Sequence, residues 1–339
     1  MLSVRRFPDK TALIFEGQRL SYSQANSRIN RIANGLAALG VKAGDKVAFL
    51  FPNCMEIVLI YYAIQKIGAV AVPLNFRLIP REIALLTDRS DSSVLVYSAD
   101  FAEKVEQAGL KESCLKVCSR RGCGSSCSLE EIEEQQPDRE PELFRDENAV
   151  SRIQFTGGST GIPKGVMRTH CQDLCELMGE MLYCKLGSGP DNVVMIQCPL
   201  EHHGGHSWFT AALSSGATLI ICSAYDPEKI LDNIEKEHVS YMLLLPPTTY
   251  MRLCEYPGTA GRDLSSVKVA QSAAGGTTPE IISRMKSTFP NAEIYYGWGQ
   301  TESGLGSTLI LDEASEARGE SGCCVGRPMP FMEMNVASQ

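Results

Sequence analysis

The chain has 339 residues, 44% of them apolar and 21% charged, and a formal net charge of −8. That length holds two or three packed subdomains, and the composition is that of an ordinary globular protein. The negative charge argues against nucleic acid or an anionic membrane as a partner, and no apolar run approaches the ~20 residues of a membrane-spanning helix.

Arg5 and Arg6 near the N-terminus are not followed by an apolar segment, so no secretory leader is expected. Ser21 and Gln24 have the spacing of a capping box. Ile29, Ile32, Ala33, Leu36 and Leu39 then recur at helical spacing until Gly40. A strand is expected at 47–51, closed by Pro52, then a helix at about 55–66 and a strand at 69–72 closed by Pro73. A helix at about 81–88 leads to a strand at 93–97. Units of this size imply a parallel sheet covered by helices.

The polar stretch 111–148 reads as a connecting excursion, and its acidic run Glu130 to Glu134 as a solvated helix face. Cys114, Cys118, Cys123 and Cys127 lack the paired short spacings of a zinc knuckle and read as spare thiols. The 13 cysteines are odd in number and scattered, which fits reduced cytoplasmic thiols rather than a disulfide framework. Further strands are expected at 151–155, 193–197, 217–222, 241–245, 267–271 and 292–296, with helices such as 227–238 and 279–289 between them. The fold class is α/β, with two doubly wound, mainly parallel sheets packed with helices between and around them. The expected subdomains are about 47–190 for the first sheet and about 7–44 plus 193–322 for the second.

The chemistry concentrates where strands end. Residues 153–166 run from an apolar strand into a loop of glycines and hydroxyls (Thr156, Gly157, Gly158, Ser159, Thr160, Gly161) closed by Pro163 and Lys164. Such a loop offers backbone N–H groups, hydroxyls and one cation to a polyphosphate. No frame places Gly-Lys-Ser/Thr at its end, which excludes the Walker P-loop. Residues 272–280 form a small-residue segment against which a flat ligand can lie. Tyr295 to Glu302 end a strand in a glycine-spaced turn carrying Trp298, Thr301 and Glu302. A lone carboxylate beside a phosphate site suits Mg²⁺. His202, His203 and His206 follow Pro199, and a pocket wall suits them better than a metal site.

In this order the motifs resemble the adenylate-forming enzymes, which include acyl-CoA synthetases, peptide-synthetase adenylation domains and firefly luciferase. Thr156 to Gly165 is similar to the family's T-S-G-[TS]-T-G-x-P-K-G loop, with Gly157 in place of serine. Trp298 to Glu302 resembles Y-G-x-T-E, Ser272 to Thr277 the adenine loop, and Pro199 to Gly205 the P-L-F-H-x-G-G element, with Glu201 an unusual substitution. The opening of the chain, up to Val72-Pro-Leu-Asn, also looks like a fatty- or aryl-acid–CoA ligase.

The resemblance implies ATP-dependent activation of a carboxylic acid, most simply a fatty acid, to an acyl-adenylate, with CoA as the later acceptor. It implies Thr156, Lys164 and Glu302 as catalytic residues and Thr156 with Glu302 as Mg²⁺ ligands. ATP or AMP would be held by Thr156, Gly157, Gly158, Ser159, Thr160, Gly161, Lys164, Ala274, Gly275, Tyr296, Gly297, Trp298, Gly299, Gln300, Thr301 and Glu302. His202 and Gly204 would border the acyl pocket. The implied partners are small molecules (the acid, ATP and CoA), and a homodimer is compatible with them. Loading of a carrier protein, or a non-catalytic nucleotide-binding remnant, stand as alternatives. The family's ribose-binding T-G-D element, remaining barrel portion and C-terminal lid with its catalytic lysine do not appear by Gln339, so this chain is expected to be a large N-terminal domain, inactive for the full reaction.

Overall fold

The computed structural model describes residues 2–123, 125, 127–144, 146–157, 163–186, 191–312 and 324–335. Its strands are, from the N-terminus, β1 (Thr11–Phe15), β2 (Gln18–Ser21), β3 (Lys46–Leu50), β4 (Val70–Leu74), β5 (Ser92–Tyr97), β6 (Leu115–Cys118), β7 (Cys127–Ser128) and β8 (Val150–Thr156). They continue as β9 (Lys164–Thr169), β10 (Val193–Ile196), β11 (Thr218–Ile221), β12 (Tyr241–Leu243), β13 (Val269–Ala273), β14 (Glu293–Gln300), β15 (Gly304–Ile310) and β16 (Arg327–Pro328).

Two compact units share these strands. One comprises Leu20–Leu174 and Pro199–His203; the other comprises Met1–Arg19, Cys175–Cys198 and Gly204–Gln339. The helix Tyr22–Ala38 therefore belongs with the first sheet's unit, whereas the motif order grouped it with the second. The reason is packing. Gly35 of this helix leaves no room for a Cβ beside Ile132, and Arg28 binds Glu133 through two hydrogen bonds of 2.6 and 2.8 Å.

The unit built on Leu20–Leu174 carries a seven-stranded sheet in the order β7-β6-β5-β3-β4-β8-β9. Pairing is parallel except for the antiparallel β8–β9 hairpin. Every residue of β4 is buried, as expected for a strand covered on both faces. Pro73 does not end it; the strand runs through Pro73 in register with Phe49. Ala48, Leu50, Val72, Leu86 and Leu95 form a core, and each fully buried Leu or Val side chain is worth about 1.5–3 kcal/mol. The polar stretch after residue 111 is more than a connection, since it contributes β6, β7 and the helix Leu129–Gln135 to this unit. Cys114 and Cys118 pack in its core.

The other unit carries a nine-stranded sheet in the order β16-β15-β14-β13-β12-β10-β11-β1-β2. Its centre is parallel and β14–β15–β16 is antiparallel. Glu16 and Gly17 both take positive φ, 46° and 79°, in the two-residue turn between β1 and β2. The helices Pro227–Glu237 and Pro279–Thr288 start as the sequence predicts, with Asp226 and Thr278 as N-caps and proline at the first helical position. Ile230, Ile234, Met242, Ile282 and Phe289 meet in the core of this unit. Among the described residues the sheets stay open and no barrel closes.

Candidate active site

The hydroxyl-rich loop sits at the tip of the β8–β9 hairpin. Thr156 and Lys164 are cross-strand partners, so the last residue of one strand and the first of the next close the loop between them. Gly158, Ser159, Thr160 and Gly161 lie outside the described residues. Lys164 is exposed. A Cβ at Gly165 would stand 2.9 Å from Ile153 Cγ2, so a larger residue there would have to displace that side chain. At Gly157 an added Cβ would meet nothing within 4 Å among the described residues.

A chain of buried polar groups fixes the root of this hairpin. Arg152, fully buried on β8, donates to Asp173 from Nε (3.1 and 3.3 Å) and from Nη2 (3.0 Å). Arg168 on β9 donates to the same carboxylate at 3.2 Å, and the Ser151 hydroxyl donates to it at 2.7 Å. Arg152 Nη2 also lies 2.8 Å from His203 Nδ1. A guanidinium only donates, so Nδ1 accepts and the imidazole proton sits on Nε2. Gln154 then donates to the carbonyl of Glu201 at 2.9 Å, and the backbone N–H of Leu200 donates to Asn53 at 2.8 Å. The segment Pro199–His203 is thereby tied to β8. The motif reading missed this network, although two arginines and an aspartate flanking an apolar strand were a signal for it.

Beside Thr156 and Gly157 this unit holds a cavity of about 500 Å³, with Arg77, Leu78, Phe155, Glu201 and His202 on its walls. That volume suits a small organic ligand. Burial pushes the Glu201 carboxyl up to about 7, with its own backbone N–H and then the Arg77 charge pulling the other way. Burial lowers the His202 imidazole, and His203 and Arg152 lower it further. Gly204, two residues on, lies in the helix His203–Ser215 of the other unit.

That other unit carries the second group of candidates. β13 runs to Ala273, so Ser272 and Ala273 are strand residues rather than loop, in register with Tyr296 and Gly297 of β14. Ala274 follows at φ 60°, a left-handed conformation that costs a residue with a Cβ roughly 1–2 kcal/mol. Gly275 then passes Pro247 so closely that a Cβ would stand 3.2 Å from its Cδ. Tyr296, Gly297, Trp298, Gly299 and Gln300 also lie within β14, because antiparallel pairing with β15 extends the strand past its expected end at 296. A register shift falls between Trp298 and Gly299. A Cβ on Gly299 would stand 2.4 Å from the Gly304 carbonyl, and a Cβ on Gly306 would stand 3.0 Å from the Trp298 ring. Trp298 thus rests on Gly306 across the pair of strands. Thr301 and Glu302 occupy the β14–β15 turn, where Glu302 is exposed.

Behind that turn lie two carboxylates on the helix His170–Tyr183. Glu176 accepts the backbone N–H of Leu305 at 3.0 Å and fills the space a side chain at Gly304 would need. Glu180, one turn on, is 1% exposed. Burial and the neighbouring Glu176 drive its carboxyl well above the ordinary range. Nothing in the motif reading pointed to either residue.

Residues 2–339 match the family described as AMP-binding enzyme. Feruloyl-CoA synthase of Amycolatopsis sp is 32% identical over 98% of this chain and 64% of its own length. 4-Coumarate–CoA ligase 2 of Solanum tuberosum is 28% identical over 93% of this chain and 58% of its own length. The chain thus spans less than two thirds of either relative. Among solved structures, the N-terminal domain of FACL13 from Mycobacterium tuberculosis superposes with a TM-score of 0.87 at 25% identity, over 97% of this chain and 81% of that one. A fold of two open α/β sheets, an ordered set of strand-end motifs and a family match along nearly the whole length agree: the chain belongs to the AMP-binding enzyme family.

Proposed function

We propose that this chain carries the adenylating site of an acid–CoA ligase. The observation that carries the reading is the Thr156–Lys164 pair closing a glycine- and hydroxyl-rich loop at the tip of a hairpin. A substrate carboxylate oxygen attacks the α-phosphorus of ATP, the bond to the bridging oxygen breaks, and pyrophosphate leaves. Thr156, Ser159, Thr160 and Lys164 hold the departing phosphates, and Thr301 holds the α-phosphate. Positioning and charge neutralisation do the work, with no protein nucleophile. Ala274 and Gly275 lie beside the adenine and Trp298 against it. The exposed Glu302 carboxylate and the Thr156 hydroxyl are each a hard oxygen donor of the kind Mg²⁺ takes, and the ion would neutralise phosphate charge. In the whole protein the CoA thiol then attacks the acyl carbonyl and AMP leaves. A reduced cytoplasmic setting suits the cysteines, several of which are buried.

For the acid, a fatty acid is the simplest reading of the motifs. The feruloyl- and coumarate-specific names of the relatives favour an aromatic acid instead. ATP–pyrophosphate exchange with matched fatty and aromatic acids decides between them. Exchange should fall at least about 100-fold in Lys164→Ala and in Glu302→Gln. Unchanged exchange in both variants would leave a nucleotide-binding remnant as the better reading.

A further inference from the structure

We infer that Glu201 is a specificity determinant of the acid pocket and selects acids whose far end carries an O–H or N–H donor. This rests on the adenylating role proposed above. Glu201 is 3% exposed, lines the 500 Å³ cavity beside Thr156, and neither of its carboxylate oxygens has a hydrogen-bond partner among the described residues. A buried polar group in that state is costly until something satisfies it.

Three other polar residues on the cavity wall, Asn75, Glu82 and Gln154, are engaged locally. Asn75 Oδ1 accepts the Arg77 N–H at 2.8 Å, and Glu82 accepts the Ile79 N–H at 3.0 Å. Gln154 donates to the Glu201 carbonyl. Glu201 is left with no side-chain partner for either oxygen. Apolar groups, including Leu78, Leu86 and Phe155, line the rest of the cavity and suit a hydrocarbon or aromatic body. Arg77 already brings a positive charge to the same cavity, so a neutral donor on the ligand is sufficient and a second cation is not required. A hydroxylated acid satisfies the carboxylate. Its deoxy analogue leaves the carboxylate buried and unpaired, the situation in which sites discriminate most strongly.

The test is calorimetric binding at pH 8, where Glu201 is ionised and only accepts, to the 339-residue chain of two matched pairs: 4-hydroxycinnamate against cinnamate, and 10-hydroxydecanoate against decanoate. In at least one pair the hydroxylated acid should bind about tenfold tighter or more. That ratio should collapse towards one in Glu201→Leu and persist in part in Glu201→Gln, which keeps an acceptor oxygen, with thermal midpoints confirming that both variants fold. Equal affinities within both pairs, a ratio untouched by Glu201→Leu, or no binding of any of the four acids would overturn the inference. So would pantetheine binding that outcompetes all four and weakens in Glu201→Leu, because the donor would then belong to the thiol substrate. Pyrophosphate exchange on the same preparations reads the adenylating role separately. Exchange without a ratio overturns the Glu201 inference alone, and a ratio without exchange overturns the adenylating role alone.

Discussion

The Glu176 carboxylate takes the N–H of Leu305 at 3.0 Å and stands where a Cβ on Gly304 would be, 2.6 Å from its carboxyl carbon. One helix side chain therefore holds the turn that presents Thr301 and Glu302. Glycine at 304 serves this arrangement twice, through its φ of 77° and through the room it leaves.

Gly304→Ala should accordingly destabilise the protein by about 1–3 kcal/mol, from overpacking added to an unfavourable φ. Urea denaturation measures the loss. Glu176→Gln keeps the acceptor oxygen and should retain most of the stability. Glu176→Ala leaves the Leu305 N–H unpaired and should raise KM for ATP more than it lowers kcat. Equal behaviour of the two variants would mean that the carboxylate does not hold the turn.

Asp173 is bonded to both of the buried arginines Arg152 and Arg168. Removing it takes a shared counter-charge from two buried guanidinium groups. Asp173→Ala should cost roughly 3–5 kcal/mol, the range for breaking a buried pair, and should lower the thermal midpoint far more than any surface charge change. A loss under about 1 kcal/mol would show that water reaches the site easily.

Glu201 gives a pH signature. Its carboxyl is raised from 4.5 to about 7 by burial, so the folded state prefers it protonated. Its folding penalty is absent below the unfolded value, grows as pH rises from about 4.5 to about 7, and is constant above that. At its fullest the shift is worth roughly 3 kcal/mol. Glu201→Gln should therefore gain stability over the parent chain at pH 8 and lose that advantage at pH 4.5. A stability difference between the two that does not vary with pH would place the carboxyl in water.

The chain has two tryptophans, Trp208 and Trp298. Trp208 is 2% exposed, whereas Trp298 is half-buried against Gly306. AMP or ATP should change the intrinsic fluorescence through Trp298 alone. Trp298→Phe should abolish the change while Trp208 still emits. A ligand-induced change that survives in Trp298→Phe would remove the ring from the nucleotide site.

Much of the fold could be read from the residues because parallel strands are buried on both faces and appear as short apolar runs. Ile196, Ile220 and Met242 lie on adjacent strands within such runs. Caps were legible for the same local reason: Ser21 and Gln24 exchange hydrogen bonds of 2.8 and 3.2 Å as their spacing implied. What escaped was decided by long-range pairing. β9 and β15 have exposed or glycine-rich residues and become strands only through their antiparallel partners. β6 shows a faint alternation, Leu115-Lys116-Val117, hidden in a polar stretch. At the site, single strand-end motifs were visible, but the supporting groups were not. Arg152 and His203 are 51 positions apart, and Glu176 and Leu305 are 129 apart, so no local pattern links them.

The Thr156–Lys164 pairing also bears on how this loop can change over evolutionary time. Since the sheet already holds both ends together, even doubling the loop's length would add only about 0.6 kcal/mol of closure entropy. Folding and phosphate grip can thus drift separately, and selection on the grip need not first find a compensating change in the core. Position 157 is an instance: an added Cβ there meets no described atom within 4 Å.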